Sequence, residues 1–444
     1  MHFWKKTALG ISIFLILAPW PVIGLAKAKD SKLERRIEAL EKIAMRQGVS
    51  NQVLERLIAQ QRDPNEMRVY FKNGLRFDSR DKRFKYQIGG RIQADVNFFD
   101  PDSRFKSSIE NTANGAEFRR ARFFISGLLY NRVKFKAQYD FVGQTSFSDV
   151  YIGLIGIPII GNITVGHFKE PFSLEDLTSS KYITFLERSL PSAFTPGRNL
   201  GIAIHDVLYD GRATWAMGYF RPTPSAPPRI QSEDGGSFST RLTGVPVQRK
   251  NGRQLVHLGF GYSFRTSDDK LSFSSKPESN QGPVTVDTGD IGSEDVHQFN
   301  FEAAVVIYMF RVQGEYTLVK VKQFSGLPDI DYHGSYVMVS YFLTGENQNY
   351  SKGFFGRITP RRNFMENGGW GAFEAALRFS TIDLNDGSAG KIGGKENNYT
   401  AALNWYLNAH TRVMFNYVRA HVYGAPAVNR GHLNIFALRF QMDF

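Results

Sequence analysis

The chemistry open to this chain lies in a set of basic side chains: Lys85, Arg91, Arg120, Arg122, Lys134, Lys136, Lys169, Lys181, Arg188 and Arg198. Those up to Lys136 fall on the polar side of three stretches in which apolar and polar residues alternate, so extended backbone would put them on one surface. Asp95 and Asp140 share that surface and partly offset them. The others crowd between Gly166 and Gly201 beside Glu170, Glu175, Asp176 and Glu187, with some of which they would pair. Arginine grips an oxyanion through a planar fork, lysine as a mobile point charge. Such a wall binds small anions; the competing explanation is ordinary solvation of a mixed-charge surface. Catalytic alternatives find little support. The chain has no Cys, which removes disulfides, thiolate metal sites and a thiol nucleophile. Its nine His are scattered, without metal-ligand spacing. Neither His-Glu-x-x-His nor Gly-x-Ser-x-Gly occurs. Gly390-Lys391 and Gly394-Lys395 lack the first glycine of a phosphate loop, with Asn385 and Ala389 in its place. Only a Ser–His pair assembled in space would escape this reading. No enzyme, metal or cofactor is expected.

The elements that must hold these groups are strands. Phe84, Tyr86, Ile88, Ile92, Ala94, Val96 and Phe98 alternate with Lys85, Gln87, Arg91, Gln93, Asp95 and Asn97; Val133 to Phe141 repeats the pattern. On the second stretch Ala121, Phe123 and Ile125 share the apolar face, which turns Arg120, Arg122 and Ser126 the other way. A soluble sheet with one wet face would read the same. Count and terminus favour a membrane barrel, whose polar face is a water-filled lumen. Strands are expected near 84–99, 117–130, 132–142, 147–157, 161–169, 199–209, 212–221, 254–265, 269–275, 296–309, 311–324, 333–344, 370–384, 397–408, 411–423 and 433–444: about sixteen, an even number. Tight connections alternate with long ones, as short turns and long outer loops would. The connection 345–369 breaks the rhythm: a strand is misplaced, or one turn is extended. The last strand puts Phe436, Leu438, Phe440, Met442 and terminal Phe444 on one face, resembling the signal read by outer-membrane assembly machinery. Mean hydropathy is only −0.31, as expected when every second residue faces lipid. The 37 Phe and 19 Tyr supply a barrel's aromatic surface.

Before the strands come two other segments. Residues 1–28 read as a secretory leader: Lys5 and Lys6, then an apolar run from Thr7 to Ala18 too short to span a bilayer, then cleavage after Ala26 or Ala28. Its removal takes three lysines from a net charge of +13. Residues 29–65 read as a periplasmic helix. Leu33, Ile37, Leu40 and Ala44, then Leu54 and Ile58, form a coiled-coil seam that Gln47 and Asn51 weaken and Gly48 and Ser50 break. A short amphipathic helix is the other reading. No later segment has about 18 consecutive apolar residues, so no spanning helix is expected.

The stretch from Gly166 to Gly201 joins two strands through a connection far longer than the usual loop of about 4–6 residues. It carries its own apolar anchors, Phe172, Leu174, Leu177, Tyr182, Ile183, Phe185, Leu186, Leu190 and Phe194. It is expected to fold, over about 170–198, into the barrel and narrow it. Its segments FKEPFSLEDLTSS, ITFLERSLP and PGRNLGI, with FRRARFFIS at Phe118, SYFLTGE at Ser340 and NNYTAALNWYLN at Asn397, resemble the phosphate-selective porins O and P of Gram-negative outer membranes. The resemblance runs from about residue 70 to the end. It implies a trimer of sixteen-stranded barrels in the outer membrane, each pore narrowed by an inward third loop and lined by Arg and Lys. It also implies, in some members, a periplasmic coiled coil.

The expected molecule is therefore an all-β transmembrane barrel over 66–444. Small anions, phosphate or pyrophosphate, would diffuse through it, with no nucleic-acid partner. A weakly selective general porin and a structural protein tethered through its coiled coil remain the alternatives.

Overall fold

The period-two pattern becomes strand in the computed structural model, which describes residues 66–108, 113–143, 146–221, 223, 235–266 and 271–444, with Arg35, 37–39 and 41–43. The leader and most of the expected seam from Leu33 to Ile58 lie outside the described residues. Those described between Arg35 and Ile43 are helical. They belong to a compact unit of Met1–Met67 with Ser79–Asp81; the other unit is Arg68–Asp78 with Lys82–Phe444.

In the larger unit sixteen strands run antiparallel in chain order: β1 (Phe84–Pro101), β2 (Gly115–Leu129), β3 (Val133–Asp140), β4 (Ser146–Ile157), β5 (Gly161–Lys169), β6 (Arg198–Leu208), β7 (Ala213–Arg221), β8 (Ser237–Arg249), β9 (Gln254–Thr266), β10 (Ser293–Ile307), β11 (Phe310–Gln323), β12 (Ile330–Phe342), β13 (Ala372–Asp386), β14 (Lys391–Tyr406), β15 (Thr411–Tyr423) and β16 (Arg430–Asp443). Strand β16 pairs with β1 from Leu433↔Pro101 to Asp443↔Arg91, which closes the barrel and removes both sheet edges. Phe444 completes the seam by exchanging backbone bonds with Gly90 at 2.8 and 3.2 Å. Below it, Leu75 to Asp78 pair with Ile88 to Lys85, taking over the edge where the chain ends.

Side chains divide as the alternation requires. Ile92, Phe98, Phe123, Ile152, Leu242, Phe301, Leu377 and Phe440 are exposed on the outer face. Arg91, Gln93, Asp95 and Asn97 are buried on the inner one. No helix among the described residues is long and apolar enough to cross a membrane.

Two expectations fail together. The expected strand 269–275 is not in the barrel: Leu271 makes only a single bridge to Ile291, and Phe273 packs on Phe194 at 5.3 Å. The barrel instead uses β8, inside the expected loop 222–253. Gly244 and Pro246 made β8 look like loop, and the structure absorbs them at a register shift between Gly244 and Val247. The errors cancel in the count but invert the direction expected for 254–265. The long connection at 345–369 is real; it joins β12 to β13 at the end carrying the short turns.

Candidate functional site

The connection between β5 and β6 is built around its own anchors. Ser173 adopts φ 64° and caps a single helical turn, Leu174–Leu177, by accepting from the Asp176 amide at 3.1 Å. A 3₁₀ turn follows at Leu190–Phe194. Phe172, Leu174, Ile183, Phe185, Leu186, Leu190 and Phe194 are all buried. Leu174 packs with Leu255, Ala304 and Val306; Phe185 with Tyr336, Met338, Ala376 and Ala402; Leu186 with Met414 and Ala437. These partners lie on the inner faces of β9, β10 and β12–β16. A patch of the inner wall is thus apolar where the segment covers it, a departure from the polar lumen that simple alternation implies.

Hydrogen bonds reinforce that contact around the same arc. Gln298 donates to the Phe194 carbonyl at 2.7 Å, and Glu315 accepts from the Glu175 amide at 2.7 Å. Arg378 reaches Glu175 at 3.2 Å, Asn404 the Thr184 carbonyl at 2.8 Å, and Arg412 the Ile183 carbonyl at 2.9 Å. Arg439 reaches Glu187 at 2.7 Å, and Arg91 donates to Ser180 at 2.5 Å. Strands β3 and β4 make no hydrogen bond to Glu170–Gly197 among the described residues. The segment is held against one side of the wall, and β3 and β4 lie on the other.

That opposite wall carries much of the charge. Register places Arg91, Arg122 and Asp140 side by side on β1, β2 and β3. Arg122 donates to Asp140 at 2.5 Å. Asp149 on β4 accepts from Lys136 at 2.5 Å and from Arg198 at 2.6 Å. Lys136 lies 5.7 Å from the centre of the Phe124 ring, and Lys181 of the segment lies 5.9 Å from the same ring. Both are within cation–π range.

The remaining expected residues have other commitments. Arg120 is only 4% exposed, bonded to Gln93 at 3.0 Å and 3.6 Å from Glu187. Lys169 and Arg188 both hold Asp176, at 3.0 and 3.4 Å. Arg188 also donates to the Glu175 and Thr178 carbonyls. Lys181 pairs with Asp443 at 3.4 Å. Lys85 and Lys134 form no ion pair among the described residues; Lys134 lies 3.0 Å from His205. The expected internal pairs are met at Asp176 only. Glu170 instead binds Arg265 at 2.6 Å, and Glu187 binds Arg119 at 2.8 Å. Burial pushes the Asp176 carboxyl up, but Lys169 and Arg188 hold it down at about 2. Glu187 is likewise held well below the carboxylate range: Arg120, Arg119 and Arg439 outweigh the effect of burial.

Sequence reading passed over Arg119 because alternation turns it outward. A bulge between Gln93 and Ala94 leaves Arg119 unmatched in the register, with Phe118 and Arg120 paired on either side of it. Asp149 and Arg439 were legible as inward positions, but nothing local marked their partners. Among the described residues no cluster of His, Asp and Glu suits a metal ion.

Comparison with known proteins agrees with this architecture. Porin O of Pseudomonas aeruginosa is 27% identical over 81% of this chain and 88% of its own length. A protein of Caulobacter vibrioides is 28% identical over 85% of this chain and 77% of its own. An anion-selective porin of Comamonas acidovorans shares the fold at TM-score 0.50 and 13% identity, over 81% of this chain and 100% of its own. The Vibrio cholerae outer-membrane protein OmpT, lacking loop L8, does so at TM-score 0.53 and 10% identity, over 82% of this chain and 100% of its own. The molecule is a channel-type barrel of a Gram-negative outer membrane. The family model for phosphate-selective porin O and P matches residues 86–444, and the chain belongs to that family.

Proposed function

We propose that the protein is a passive channel for small anions, phosphate or pyrophosphate among them. In this reading the segment 170–197 is the constriction, Arg198 being the first residue of β6, and the ion path runs between that segment and the wall of β2–β4 and β6. The observation that carries the reading is charge: on that wall Arg122 pairs with Asp140, and Lys136 and Arg198 share Asp149, while Arg91 stands beside Arg122 on β1, four cations to two carboxylates. A positive passage with low-dielectric walls concentrates anions. Rings of Arg and Lys select anions in pores, and several weak sites in series let an ion leave as well as enter. Family membership supports the class of ion, and Lys136 of the wall and Lys181 of the segment approach the same ring, Phe124. Arg120, Lys169 and Arg188 serve chiefly to fix the segment.

The test is the reversal potential of the reconstituted protein in a salt gradient, with phosphate titrated against chloride. Anion preference with phosphate block is expected; equal permeability to potassium and chloride would leave a general porin. The same reading makes the protein a trimer through barrel contacts. An OmpT structure described as a trimer shares the fold at TM-score 0.52 and 10% identity. Trimers should survive deletion of residues 29–65 in native mass measurements, and the truncated channel should still conduct.

A further inference from the structure

The long β12–β13 connection turns back into the lumen. Gln348 donates to the Tyr182 carbonyl at 2.6 Å, His257 lies 2.7 Å from the Tyr350 hydroxyl, and Arg241 donates to the Gly353 carbonyl at 3.1 Å. Tyr350–Ser351 and Phe354–Phe355 form a small hairpin. Its tip helps to line a cavity of about 500 Å³ at the short-turn end of the barrel. The cavity differs chemically from the wall above it. Tyr151, Phe168, Leu177 and Phe354 line it, with Lys134 and Lys352. Tyr151 and Phe168 meet edge to face at 6.1 Å, and the Lys134 ammonium lies 5.7 Å from the Tyr151 ring. Neither lysine forms an ion pair among the described residues, whereas Arg241 in the same lining is committed to Glu302 at 2.7 Å.

We propose that this cavity is a binding site for organic anions with an aromatic body, of which benzoate is the simplest probe. Lysines without a carboxylate partner, beside aromatic and apolar walls, suit a carboxylate carried on a ring. A bare, strongly hydrated inorganic anion would gain nothing from those walls. A pocket largely apolar with a few polar groups is the usual form of a small-molecule site. Arg122, Asp149 and Arg198 do not line the cavity, so it supplies a second step in the path: capture at the inner mouth of anions that carry apolar bulk. As part of a path it rests on the anion-channel reading; as a binding site it does not.

The experiment uses the full-length protein. In planar bilayers, benzoate, acetate and phosphate are added to each side in turn, and block of chloride current is measured. Benzoate should block about tenfold more tightly than acetate. Lys134→Gln/Lys352→Gln should weaken benzoate block by about tenfold. Phe354→Ala should remove the advantage of benzoate while leaving acetate unchanged. Benzoate binding by calorimetry in detergent, wild type against Lys352→Gln, reads the site without conduction, and the exposed Lys352 makes a folding defect no explanation. Equal block by benzoate and acetate, or benzoate binding unchanged in these variants, overturns the site. Loss of anion preference with benzoate binding retained overturns the channel reading and leaves the site standing.

Discussion

Glu187 and Arg439 meet at 2.7 Å, joining the inward segment to the last strand of the barrel. Arg439 also holds Asp95 through two bonds of 2.7 and 2.6 Å, and Glu187 also holds Arg119. The carboxylate is therefore the point where one end of the segment is fixed to both sides of the β16–β1 seam. Glu187→Gln should loosen the segment and leave the barrel closed. Removing one partner of a buried pair costs about 3–5 kcal/mol, and water in a lumen should reduce that. The expected result is larger, noisier single-channel conductance with an unchanged heat-modifiable barrel. Unchanged conductance would mean that the apolar anchors alone hold the segment.

The anchorage should also depend on pH in one direction. The Asp176 and Glu187 carboxyls are held below their ordinary values by arginine and lysine neighbours. A depressed carboxyl contributes stability that is full above its unfolded value and lost as pH falls through its folded one. For Asp176 that window runs from the usual 3.8 down to about 2. Conductance noise should stay flat from neutral pH to about 4 and rise only below that. A transition centred near pH 6 would contradict this assignment.

Asp149 separates charge balance from loop anchorage, because it binds Lys136 and Arg198 on the wall and nothing on the segment. Asp149→Asn should raise the anion-to-cation permeability ratio; Arg122→Gln/Lys136→Gln should lower it and weaken phosphate block. Loss of one charge-assisted contact of about 1.5–3 kcal/mol corresponds to roughly ten- to a hundredfold in affinity, and hydration in the pore should hold the effect near the low end. Ratios moving together in the two variants would show that the path lies elsewhere.

Closure predicts a steric sensitivity at Gly90. A Cβ there would meet the Arg122 carbonyl at 2.6 Å and the Phe444 ring at 2.8 Å. Gly90→Val should displace Phe444 and reduce outer-membrane abundance, as should deleting Phe444. Gly387→Ala meets nothing within 4 Å and should be neutral. Normal levels of heat-modifiable barrel in Gly90→Val would mean that the terminal residue does not govern insertion.

A charge on the lipid face should act on assembly. Phe123 is exposed on the outer face beside inward Arg122. Phe123→Arg should cost about 2–4 kcal/mol if it lies near the bilayer midplane, lowering folded yield without altering the selectivity of channels that do insert. Altered selectivity with normal yield would reverse the two faces.

The sequence by itself determined the wall. A period of two is enforced locally, because each residue faces lipid or lumen by parity, so Ile92 and Arg91 could be sorted without knowing any neighbour. The same parity exposed the terminal strand, while the apolar anchors of 170–198 stood out because that connection is far longer than a usual loop. It failed where local rules bend: at β8, whose Gly244 and Pro246 are absorbed by a register shift, and at Arg119, which a bulge leaves unmatched. Tertiary structure alone decided which charges neutralise one another. Asp149 draws on Arg198, forty-nine residues away, and Glu187 on Arg439 across the seam. The first pairing depends on the register of β4 and β6 on either side of β5 and the second on barrel closure, and both bring together residues whose separation along the chain carries no signal.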